Sequence, residues 1–318
     1  MQTGGEQPIS TLPTWSSLYL TVDQSTYQVG TDPSQISHWS QSLSIDNGVV
    51  STSLSWSPHN STASYASSIS LKYTIFAHRT RPNLGVVRLD VSGISPSSNV
   101  SVTDVLDGAG SWRTTAVGKG VLSNSSIYTA VQPNGITNVT AYEISQLQFL
   151  SATSKAVNST GCFAGVSQNA STVSQCYTIT SSKGSSFSVI KYVGIASSDA
   201  FPSTEKETAL NATTSALKEG YEAVLAEHTA AWSALWDESD IVIPGESEEL
   251  KELQLVTRAS LFHLLSNVRE GYEPTGLGDN SIAPAGLTSD SYAGQIFWDA
   301  VSFHFLRDQM NGVEYDNL

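Results

Sequence analysis

The hydrophobic period of this chain changes once, near Pro202, and that change limits the fold more than any single motif. Upstream, short runs rich in β-branched and aromatic residues alternate between apolar and polar positions: Leu18–Val22, Val49–Trp56, and residues 69–76, 86–91, 100–105, 144–149 and 187–195. Turn formers punctuate them, as in Asp46-Asn47-Gly48 and Pro82-Asn83-Leu84-Gly85. A two-residue period with frequent turns predicts antiparallel strands packed as a sandwich. Downstream, Leu210, Leu217, Tyr221, Val224, Leu225, His228, Trp232 and Leu235 recur at helical spacing behind a Thr204-x-x-Glu207 capping box. Ile241-Val242-Ile243 then reads as a short strand before Pro244-Gly245, and a second helical pattern covers residues 247–269. His263 falls inside that pattern and is expected to be a satisfied core or edge residue. Two helices cannot bury their own apolar stripes, so they are expected to begin a larger helical body.

Charge follows the same division. The net charge is −14. Residues 1–204 hold nine acidic and nine basic side chains, and residues 205–318 hold twenty and six. Neither part offers the basic face that a phosphate backbone requires, so nucleic acid is excluded as a partner. No apolar run reaches the roughly 20 residues of a membrane helix. The opening residues 1–6 have no basic and apolar leader pattern, so no signal peptide is expected within the chain.

Seven Asn-x-Ser/Thr sequons nevertheless occur, at Asn60, Asn99, Asn124, Asn138, Asn158, Asn169 and Asn211. Ser and Thr fill about a quarter of the chain, a composition that would scatter about three or four sequons by chance. Cys162 and Cys176 are the only cysteines. A bridge between them would close a loop of about 15 residues and contribute about 3 kcal/mol, although two unpaired thiols fit the spacing equally well. Together these features favour a secreted protein.

Chemistry-bearing patterns are few. There is no glycine-rich phosphate loop followed by Lys, and the six His show no metal-ligand spacing, so neither a metal nor another cofactor is expected. Asp237, Glu238 and Asp240 read as a solvated helix end. His78-Arg79-Thr80-Arg81 reads as a charged strand end without a catalytic role. The most informative segment is the loop 286–294 leading into Phe297-Trp298-Asp299. A tryptophan face suits a sugar ring, and an adjacent carboxylate can accept hydrogen bonds from paired hydroxyls.

Several motifs place that segment in context. They are Trp232-x-x-Leu235-Trp236, Ile241-Val242-Ile243-Pro244-Gly245, residues 258–264 (RASLFHL), residues 281–287 (SIAPAGL), residues 73–91 (YTIFAHRTRPNLGVVRLDV) and residues 102–108 (VTDVLDG). Their order resembles glycoside hydrolase family 65, and within it the fungal acid trehalases, over about residues 13–300. The resemblance implies an N-terminal β-sandwich over residues 1–201, a helical linker over 202–245 and the beginning of an (α/α)6 barrel over 246–318. It implies cofactor-free hydrolysis of α,α-trehalose with inversion, and a location in the extracellular space, the cell wall or the vacuole. Trp298 and Asp299 correspond to the family pair that recognises glucose. The family's two catalytic glutamates lie downstream of that pair, and from residue 301 the sequence departs from the family pattern. The chain is therefore expected to be an N-terminal portion, inactive alone. The alternative is a non-enzymatic secreted sandwich that binds carbohydrate or the cell wall. A disaccharide phosphorylase of the same family fits the sequons less well.

Overall fold

The structure, a computed structural model, describes residues 10–58, 68–123, 126–157, 165–181 and 186–266. Thirteen strands precede three helices among them. The strands are β1 (Leu18–Val22), β2 (Ser25–Tyr27), β3 (Ile36–Ser44), β4 (Val49–Trp56), β5 (Ile69–Ala77), β6 (Leu84–Ser92), β7 (Val100–Leu106), β8 (Thr114–Ser123), β9 (Ser126–Pro133), β10 (Ala141–Leu150), β11 (Ala152–Val157), β12 (Val173–Ser181) and β13 (Phe187–Ser197). The helices are α1 (Glu205–Glu219), α2 (Tyr221–Ser239) and α3 (Glu248–Ser266).

All strand pairings are antiparallel. One sheet has the order β11-β12-β7-β1-β2, the other β3-β4-β5-β6-β13-β10-β9-β8. The expected sandwich is therefore present, followed by helices. Alternation explains how it closes. On β5, Ile69, Leu71 and Tyr73 point between the sheets, where they meet Leu20, Leu89, Val102 and Val189 in one apolar cluster. Burying each such side chain contributes about 1.5–3 kcal/mol.

The eight-stranded sheet is covered on its other face as well. Phe76, Val86, Ile190 and Tyr192 pack against Ala216, Tyr221 and Val224 of α1 and α2. β13 is thus buried on both faces, which is why its sequence reads as a nearly continuous apolar run. At Gly194 the approach is so close that a Cβ would lie 1.9 Å from the carbonyl oxygen of Ala209 in α1. Only glycine leaves room for the helix backbone there.

Three local expectations are corrected. The periodic segment after Pro202 is two helices, because Gly220 takes φ 88° and ψ 157°, a conformation open to glycine and closed to side-chain-bearing residues. The capping box does not form: Thr204 occupies the N-cap, but its hydroxyl donates to the Phe201 carbonyl at 3.4 Å. Residues 241–243 are not a strand. Gln254 of α3 stands in for a neighbouring strand, accepting from the Ile243 N–H at 2.6 Å and donating to the Ile241 carbonyl at 2.8 Å.

Both edge strands of the large sheet, β3 and β8, carry register shifts. At the β3 irregularity His38 adopts φ 51°. Such bulges twist an edge away from further pairing.

Candidate functional site

Trp298 and Asp299 lie outside the described residues, as do Asn60, Asn124, Asn158 and Cys162. Cys176 sits fully buried on β12 and is disulfide-bonded. The four described sequon asparagines are all exposed. Asn99 precedes β7, Asn138 lies between β9 and β10, Asn169 precedes β12 and Asn211 lies on α1. The Asn169 side-chain oxygen accepts from the Ser171 N–H at 3.0 Å and from its hydroxyl at 2.9 Å. No group of three or more His, Cys, Asp or Glu among the described residues could hold a metal ion. No described helix is long and apolar enough to cross a membrane.

The segment 78–81 is more than a charged strand end. It is the point where the sandwich grips all three helices. His78 is buried, with Nε2 donating to the Val224 carbonyl of α2 at 3.1 Å and Nδ1 accepting from the Arg81 N–H at 3.2 Å. Its ring lies 5.5 Å from that of His228, whose Nδ1 accepts from the Arg79 N–H at 3.0 Å. Both Nδ1 atoms act as acceptors, so both imidazoles are neutral. Burial pulls the pKa of His228 down to about 4, and the neighbouring His78 adds to the effect. Burial lowers His78 too, opposed by the carboxylate of Glu227.

The arginines extend this grip. Arg79 lies over the Trp232 ring at 5.1 Å and donates to the Leu265 carbonyl of α3 at 2.7 Å. Arg81 binds Glu219 of α1 at 2.6 Å and also pairs with Glu227 of α2. Those two carboxylates raise its pKa. Arg88 pairs with Asp90 at 2.9 Å and Glu222 at 3.0 Å and covers the Tyr221 ring at 4.8 Å.

Trp232 and Trp236 of the sequence motif also belong to this junction: Trp232 stacks on Phe262 at 4.7 Å, and Trp236 donates to the Ile45 carbonyl at 3.0 Å. Arg258 covers Trp236 at 4.8 Å and binds Asp46 at 2.9 Å and Asp240 at 3.1 Å. Asp240 is therefore tied down, whereas Asp237 and Glu238 are exposed as expected of a helix end. His263 is exposed, at the edge of the Phe262 ring.

A second polar cluster lies between the sheets and was not singled out in the sequence. Lys191 of β13 is 0% exposed, with Nζ 2.8 Å from Asp104 Oδ1 on β7. Nζ also donates to the carbonyls of Ser17 at 2.9 Å and Val105 at 2.7 Å. Ser145 of β10 donates to Asp104 Oδ2 at 2.7 Å. Glu143, two residues earlier on the same strand, is buried with both carboxyl oxygens lacking a hydrogen-bond partner. Burial pushes its pKa up to about 8 against the pull of Lys191. The signal that could have found this cluster is a Lys and an Asp at inward positions of FSVIKYV and VTDVL, where alternation requires apolar residues.

The element order, the Trp232–Trp236 junction and the strand-end motif together frame the comparison with known proteins. A family model described as "Glycosyl hydrolase family 65, N-terminal domain" matches residues 2–235. The chain belongs to family 65. This family-65 chain is 32% identical over 313 residues to a cell wall acid trehalase of Arthroderma benhamiae, covering 93% of itself and 29% of that relative. It is 31% identical over 316 residues to an acid trehalase of Emericella nidulans, covering 94% of itself and again 29% of the relative. It thus spans less than a third of the length of these curated relatives. A solved structure, a putative kojibiose phosphorylase from human microbiome, superposes with TM-score 0.69 at 16% identity, over 93% of this chain and 37% of that one. That likeness establishes the fold.

Proposed function

We propose that this family-65 chain supplies the sandwich and linker of an extracellular enzyme that hydrolyses α,α-trehalose to glucose. The observation that carries the reading is the 32% identity, over 93% of the chain, to a cell wall acid trehalase. The relatives named periplasmic or secreted support the location.

In an inverting hydrolysis a carboxylic acid protonates the leaving oxygen while a second carboxylate activates water, the two standing roughly 6.5–9.5 Å apart. No residue of this chain is assigned either role. Trp298 and Asp299 are proposed to hold the glucose unit, the indole against the ring face and the carboxylate on adjacent hydroxyls. The sandwich, through residues 78–81, fixes where α2 and α3 lie and so where a helical catalytic body would begin. The proposed divisions are 1–201, 202–245 and 246–318.

Glucose release from trehalose, measured on the protein that carries this chain in its natural sequence context, tests the reading. Turnover without phosphate supports it. Turnover only with phosphate, yielding a glucose phosphate, replaces hydrolysis by phosphorolysis. The 318-residue chain alone is expected to release no glucose above the uncatalysed rate.

A further inference from the structure

We propose that Lys191 and Asp104 condense to an isopeptide bond that ties the five-stranded sheet to the eight-stranded sheet. The two side chains face each other across the sandwich core, 0% and 2% exposed, with Nζ 2.8 Å from Oδ1. The contact is a buried ion pair, and the same Nζ also donates to the carbonyls of Ser17 and Val105. A neutral amine has two N–H groups and one lone pair. With both N–H groups held by backbone carbonyls, the lone pair is left for the Asp104 carboxyl.

Two side chains of β10 face the pair from the same side of that strand. Ser145 donates to Oδ2 at 2.7 Å, which orients the carboxyl and stabilises charge developing on that oxygen. Glu143 lies on the same face of β10, is buried, and has two oxygens with no hydrogen-bond partner. Its raised pKa keeps it protonated at neutral pH, and burial likewise lowers that of Lys191.

The step balances without a cofactor. Proton transfer gives a neutral amine and a neutral carboxylic acid. Nζ attacks Cγ, and the Nζ–Cγ bond forms as one N–H bond breaks. The Cγ–OH bond then breaks and the hydroxyl leaves as water with that hydrogen. Glu143 passes the proton and is regenerated. Two unit charges buried in a low-dielectric core are costly, and condensation removes both while expelling water.

This proposal stands apart from the trehalase reading, and its test needs no sugar. The soluble 318-residue chain, made without glycans and fully reduced, is unfolded and weighed, then digested with trypsin. The expected mass lies about 18 Da below that of the sequence, the deficit of one water. The digest should hold one branched peptide uniting residues 104 and 191, with Lys191 resistant to cleavage. Glu143→Gln should return the full mass, and Lys191→Arg likewise. Full sequence mass with cleavage at Lys191 in the natural chain overturns the proposal. A crosslink that forms unchanged in Glu143→Gln removes Glu143 from the mechanism.

Discussion

Glu143 and His228 are buried ionisable side chains whose titrations drive stability in opposite directions with pH. Glu143 has a folded pKa of about 8 against an ordinary 4.5. Its contribution is fully present below about pH 4.5 and lost as the pH rises through 8. His228 falls to about 4 from an ordinary 6.5, so its contribution is present above pH 6.5 and fades toward 4. Urea midpoints measured across this range should fall at the alkaline end in the natural chain and flatten there in Glu143→Gln. In His228→Asn, which keeps an acceptor for the Arg79 N–H, the acid limb should flatten instead. Gly194→Ala belongs to the same scale: its Cβ would meet the Ala209 carbonyl at 1.9 Å, a rigid backbone atom. A loss of about 1–3 kcal/mol or more in urea unfolding is expected, since overpacking forces the helix outward.

The strands read from sequence are apolar runs, but β9 and β12 were missed although Ile127, Val131, Tyr177 and Ile179 on them are buried, because Ser, Thr and Gln interrupt their alternation. β1 and β4 match the runs read from sequence, and β5, β6, β7, β10 and β13 extend theirs by a few residues at most at each end. β3, with only its ends sheltered, and β8, with two glycines, gave no such signal because serine, threonine and glycine carry little burial information. Their strand state is imposed by neighbours already in the sheet. The same reasoning explains the false strand at residues 241–243: Ile and Val favour strands, but Ile241 and Val242 are 49% and 74% exposed, with the Gln254 side chain as backbone partner. The gripping residues of segment 78–81 were visible, but their partners lie about 140–190 positions away in sequence. Gly220→Ala isolates backbone strain from sterics, because a Cβ at that position would meet nothing within 4 Å. It should cost about 1–3 kcal/mol and loosen the α1–α2 elbow, seen as faster amide exchange at residues 216–224. Arg79→Ala should speed exchange along α3 by about tenfold or more while leaving β13 protected, as expected for loss of a charged hydrogen bond of about 1.5–3 kcal/mol.

At the scale of the whole molecule, strand order has a consequence for synthesis. β3 to β6 form one continuous meander and β8 to β10 another, and in the finished sheet they share no edge. The strand that joins them is β13, the last to leave the ribosome, pairing with β6 on one side and β10 on the other. Until about residue 197 is available, each meander keeps an open inner edge of unpaired amides. Closure also waits for contacts distant in sequence, which slows folding and prolongs exposure of those edges. A nascent chain halted before β13 should therefore be protease-sensitive and captured by chaperones, and one extended through α2 should become resistant in a single step. The time-ordering of the polypeptide, rather than the strength of any one contact, sets when this sandwich first becomes a solid object.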